Sequence, residues 1–140
     1  MTQDAPNTEE LQTLMAASKQ DAISFATEQF DIELDGSMDS VTSVDDVLLQ
    51  CAALLKSQQE QDKFIFTVCN IFGAYVGEVF KETIGGTWVY DTTNPEAPTV
   101  MLSYADKTYA FAGMCYQRLV NDANQSVRKY LELAIANHVQ

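Results

Sequence analysis

The sequence predicts an α+β fold, and three observations carry that prediction. Residues 8–30 and 62–84 place apolar side chains at helical intervals. Between Thr87 and Phe111 the period changes to two, across the short runs TWVY, TVMLSY and KTYAF. Helical spacing returns from Gly113 onward, so a small antiparallel meander sits between N-terminal and C-terminal helices. At 140 residues the chain has the length of one domain, assigned to residues 8–140 behind a flexible N-terminus of residues 1–7.

Each element has its own signal. Pro6 precedes the first helix, Asn7 or Thr8 can cap it, and Leu11, Leu14, Met15, Ala22, Ile23, Ala26 and Phe30 broadly follow its period. The acidic stretch DIELDGSMDS breaks that period and reads as a loop around Gly36. A second helix is expected from near Ser43, with Asp46 completing an imperfect capping box and Val47, Leu48, Cys51, Leu54 and Leu55 as its stripe.

The third helix, about residues 62–84, is apolar nearly all round from Phe64 to Phe80, so it should be buried on several sides. Gly73 and Gly77 lie on one face of it. Each glycine costs about 1 kcal/mol relative to alanine, a cost that makes sense where another backbone packs on the groove they leave. Gly85-Gly86 is expected to supply a left-handed C-terminal cap. Trp88, Val100, Leu102, Tyr104 and Tyr109 are candidates for the sheet, with turns at Pro95–Pro98 and Ala105-Asp106. Helices follow over 113–120 and 125–136, the last with Val127, Tyr130, Leu131, Ala134 and Ile135 as its stripe.

Charge is the most distinctive global feature. The formal net charge is −12, and residues 1–46 hold eleven carboxylates against the single cation Lys19. Such a field repels phosphate backbones and anionic lipid, which disfavours nucleic acid and membrane surfaces as partners. It favours a basic protein. Solubility is the plainer account of the same charge. Cys51, Cys69 and Cys115 have no C-x-x-C spacing and apolar neighbours, so buried, reduced thiols are expected, in a cytoplasmic protein. MTQDAPNTEE has neither the basic nor the apolar region of a signal peptide.

The pairing of LDGSMDSVTSVDDVLLQ with GAYVGEVFKETIGGTWV resembles a family of small, uncharacterised bacterial domains. The resemblance rests on Gly73, Ala74, Tyr75, Gly77, Glu78, Gly85, Gly86 and Trp88, with a Ser40…Asp45 lead-in, and covers roughly residues 30–120. It implies a compact helical and sheet domain and brings no activity or catalytic residue with it.

Among chemistry-bearing patterns, DIELDGSMDSVT is the sharpest. Asp31, Glu33, Asp35, Gly36 and Asp39 fall at positions 1, 3, 5, 6 and 9 of a calcium-loop pattern. Thr42 stands where the bidentate carboxylate belongs, and position 3 is the longer Glu. An acidic interhelical loop is therefore the stronger account, and no metal or cofactor is expected. Glu78 is a candidate acid or base, but Lys81 and Glu82 on the same face point to an exposed, paired side chain. His138 reads as a surface residue near a fraying terminus.

These features predict a non-enzymatic protein-binding module, an acidic inhibitor or immunity-type protein covering a basic partner. Asp31, Glu33, Asp35, Asp39, Asp45 and Asp46 would supply steering and rim contacts. The alternatives are an enzyme centred on Glu78 and a structural homodimerising module.

Overall fold

The computed structural model describes residues 7–93 and 99–139. Five helices and three strands follow in order: α1 (Thr8–Phe30), α2 (Met38–Leu55), α3 (Gln61–Thr83), β1 (Thr87–Asp91), β2 (Thr99–Tyr104), β3 (Lys107–Tyr109), α4 (Phe111–Tyr116) and α5 (Val127–Ala136). A π-helical turn, Gln117–Asn121, extends α4. The fold is α+β, as expected. The expectations for residues 1–6 and for a turn at Pro95–Pro98 lie outside the described residues.

α3 is the hub, packed by α1, α2, α4 and α5. Phe72, Tyr75 and Phe80 on it are fully buried, and with Trp88, Leu102, Phe111 and Leu131 they form the bulk of the core. By length and composition α3 is apolar enough to cross a membrane, with mean hydropathy 1.3, yet 61% of that stretch is buried inside the fold. From Val68 onward its apolar side chains are covered by neighbouring elements, whereas Phe66 near its start is exposed. The sheet has the order β1-β2-β3, antiparallel throughout, with Trp88 opposite Leu102 and Leu102 opposite Tyr109. That row faces α3.

The glycine face has two occupants. A Cβ at Gly73 would fall 2.6 Å from the Cα of Ala112, so the backbone of α4 lies directly on it. At Gly77 the occupant is an aromatic ring. A Cβ there would meet the Trp88 indole, with Cζ2 at 2.5 Å. The expected backbone contact holds for the first glycine, and a side chain replaces it at the second. The exit from α3 uses the positive φ expected of its two glycines. Ile84 closes the helix at φ −117°, and Gly85 and Gly86 follow at φ +117° and +122°. Gly86 is needed there for space as well, since a Cβ would sit 3.1 Å from the Ser103 carbonyl oxygen of β2.

Three boundaries are corrected. α2 begins at Met38, more than a turn before Ser43, because Gly36 at φ +85° turns the chain and the Ser37 hydroxyl caps the Ser40 amide at 3.2 Å. α4 begins at Phe111, immediately after β3 ends at Tyr109. α5 begins at Val127, capped by Ser126. α1 starts as expected, with a reciprocal box between Asn7 and Glu10.

Candidate functional site

The acidic segment after α1 is ordered by a period of two. Asp31 leaves the helix in a left-handed conformation, φ 54°, with its amide donating to Ala26 and Thr27 carbonyls. From there Asp31, Glu33 and Asp35 are exposed, Ile32 is half-buried and Leu34 is buried. Burial alternates along the segment, so three carboxylates face outward while the residues between them anchor it. The same alternation produces the 1, 3, 5 spacing of a calcium loop, so the spacing has a packing cause. Asp35 is committed locally: its carboxylate accepts from the Ser37 hydroxyl at 2.6 Å and the Ser37 amide at 3.0 Å. Those bonds, the hydroxyl first, hold its pKa below the usual carboxylate value. Among the described residues no group of three or more His, Cys, Asp or Glu side chains is placed to share a metal ion.

The loop is tied to the core at one atom. The Tyr75 hydroxyl, carried on α3, accepts from the Gly36 amide at 2.7 Å and lies 2.6 Å from the Ser40 hydroxyl. Burial pushes the Tyr75 phenol up from its ordinary value, against the opposing pull of the Ser40 and Gly36 bonds. It stays a neutral hydroxyl that fixes the loop to the hub.

Asp39 and Asp46 extend the exposed carboxylates along α2, two turns apart on its outer face. Asp39 meets Arg128 at 3.2 Å with its side chain 95% exposed. Among the described residues, Asp31, Glu33, Asp35 and Asp46 have no ion-pair partner. Asp45 does not belong with them, and this corrects the sequence reading. Its carboxylate points inward, accepting from the Val127 amide at 2.7 Å, the Arg128 amide at 3.1 Å and the Ser126 hydroxyl at 2.9 Å. Arg118 Nε lies 3.2 Å from the same carboxylate, and both side chains are 11% exposed. Arg118 also donates to the Ala123 and Gln125 carbonyls, so one guanidinium and one carboxylate join α2, the π turn and the start of α5. The group that looked like a rim contact is a structural cap.

Glu78 keeps the expected Lys81 partner but is not exposed. Its side chain is only 17% exposed, and its carboxylate accepts from the Trp88 indole N–H at 2.9 Å and pairs with Lys81 at 3.4 Å. It holds the indole in place over Gly77. His138 is docked as well: its Nε2 lies 2.7 Å from the Tyr109 hydroxyl, and its ring stands edge-on to Tyr104 at 4.7 Å between centroids. The three cysteines are free and buried. Burial pushes the Cys51 and Cys69 thiols up to about 12 and the Cys115 thiol well above its ordinary value, so all three are protonated and poor nucleophiles near neutrality.

One feature escaped the sequence reading. α1 and α3, with the far end of the β1–β2 hairpin and α4, enclose an open apolar cavity of about 1040 Å³. Met15 and Cys69 are buried in it, while Leu14, Phe66 and Tyr116 on its walls are 52%, 70% and 42% exposed. The available signal was the run Phe64-Ile65-Phe66, whose width exceeds what one buried helical face can cover. Every residue of the pattern G-A-Y-x-G-E…G-G-x-W lies in or beside the core, and Gly73, Tyr75, Gly77, Glu78, Gly86 and Trp88 have the packing or hydrogen-bonding roles given above. No family model, curated protein or solved structure matches the chain, so geometry and charge carry its functional reading.

Proposed function

We propose that this is a non-enzymatic binding module whose acidic strip, Asp31, Glu33, Asp35, Asp39 and Asp46, engages a basic protein partner. The observation that supports it is the outward alternation of DIELD, continued by two carboxylates on α2 and opposed by Arg128 alone among the described ion pairs. Like charges held on one surface repel one another, and a cationic partner relieves that repulsion while being steered by the field. Covering a partner's positive, substrate-binding surface, as an inhibitor or immunity protein does, is a concrete form of this activity. Three free cysteines support a reducing, cytoplasmic setting. Glu78 adds nothing toward an enzyme, since its carboxylate is occupied by Trp88 and Lys81 and it does not line the cavity.

The test is a pull-down with wild type and a variant carrying Asp31→Asn, Glu33→Gln, Asp35→Asn and Asp39→Asn. Both are run at about 0.1 M and about 1 M salt, where the screening length falls from about 10 to about 3 Å. The wild type should recover a basic protein at low salt only, and the folded variant should recover little at either. Equal recovery in all four arms sinks the proposal and leaves the strip a solubilising surface.

A further inference from the structure

The cavity between α1 and α3 is uncharged throughout its lining, in a chain that is 20% charged. Its two helical walls carry side chains at i, i+4 intervals: Leu14 and Ser18 on α1, Phe66 and Asn70 on α3. Depletion of charge with exposed aromatics at the centre is the composition of an interface core. Carboxylates close the α1 stripe at both ends and the α3 stripe at one. Glu10 lies one turn before Leu14, Asp21 about one turn after Ser18, and Asp62 one turn before Phe66, all exposed. Lys19 and Lys63 also stand nearby, but Lys63 is paired with Glu60 at 3.7 Å.

A second copy of this chain fits the cavity poorly. Even at about 150–250 Å² for a whole aromatic side chain, the exposed fractions of Leu14, Phe66 and Tyr116 total a few hundred Å². A stable dimer buries about 800 Å² on each partner, and two bodies of charge −12 repel. A single helix meets the geometry better, since an apolar helical face seats in a groove through three or four anchors spaced at i, i+3, i+4 and i+7.

We propose that this groove receives the apolar face of an amphipathic helix whose two ends are basic, presented by the partner that the acidic strip attracts. The proposal rests on the protein-binding reading above and specifies what that partner inserts. Leu14, Phe66 and Tyr116 grip its apolar side chains, and Glu10, Asp21 and Asp62 meet its cationic ends.

The probe is a fluorescently labelled synthetic helix of about four turns. Leucines form one face, lysines occupy both ends and glutamines fill the remainder, and affinity is read by anisotropy. Two control peptides scramble the leucine positions or replace lysine with glutamate. Wild-type protein should bind the probe well and both controls poorly. Phe66→Ser, which changes no charge and removes a side chain 70% exposed, should weaken binding about tenfold with an unchanged melting temperature. Leu14→Ser in addition should weaken it further.

An absence of probe binding, equal binding of the scrambled peptide, or indifference to Phe66→Ser overturns the groove proposal. So does a wild-type dimer in sedimentation that Phe66→Ser dissociates, because the groove would then be a self-interface. The strip-neutralised variant separates the two readings. If it loses the probe while Phe66→Ser keeps it, the groove falls and the strip stands. If Phe66→Ser alone matters, the groove stands and the strip is decided by the pull-down.

Discussion

Asp45 and Asp46 are neighbours on one helix, and their carboxylates have opposite surroundings. Asp45 is enclosed by two amides, a hydroxyl and a guanidinium, while Asp46 is exposed and without an ion-pair partner among the described residues. One residue along an α-helix is a rotation of about 100°, enough to move a side chain from the packed side to the open side. Glu78 falls between the two, half-enclosed, with one strong neutral donor and one lysine. Acidic residues counted together in a sequence thus divide by face into caps, tethers and surface charge. The division also sets what each contributes. A carboxylate with buried donors is needed by the fold, and one without them is free to serve a partner.

That grading can be broken at each step. Asp45→Ala should have the largest effect, a loss of about 3–5 kcal/mol in urea unfolding, because it leaves the Arg118 charge without its counter-ion and two amides without their acceptor. A loss under about 1 kcal/mol would show that water replaces the carboxylate and that the node is not structural. Glu78→Ala should cost about 1–3 kcal/mol by stranding the Trp88 indole N–H, with a red shift in tryptophan emission. Glu78→Gln keeps an acceptor and should recover most of that loss. If Gln is as damaging as Ala, the Lys81 pair matters more than the indole. Asp46→Asn should change stability by less than about 0.5 kcal/mol, in either direction. A larger drop would mean that the outer face of α2 is also structural.

What was legible in the sequence was local. The hub helix, its glycine face and the three-strand meander depend on periods and turn residues within a few positions of one another. Capping of α1 by Asn7 and Glu10 is equally local. What was missed depends on partners far along the chain. The start of α2 is set by Ser37, but the turn before it is held by Tyr75, 39 positions from Gly36. Asp45 is assigned to the interior by residues 81 to 83 positions away. His138 is fixed by Tyr109, 29 positions back. The cavity was invisible for a related reason: an apolar run does not say which of its side chains find neighbours, and Phe66 does not. Of the six carboxylates assigned to the acidic surface, only Asp45 proves to be internal.

The distance along the chain between Asp45 and the amide it caps, 82 residues, also imposes an order of events on folding. Closing so long a loop has an entropic cost that must be met before the contact forms, whereas the first turn of α1 closes within three residues. The Val127 and Arg128 amides of α5 therefore have no side-chain acceptor until α2 comes alongside, and the Asp45 carboxylate stays hydrated until then. A contact formed after the rate-limiting barrier changes how long the native state survives more than how quickly it is reached, so Asp45→Ala should speed unfolding more than it slows folding in a chevron measurement. A single side chain on the second helix thereby acts as a timer on the fifth.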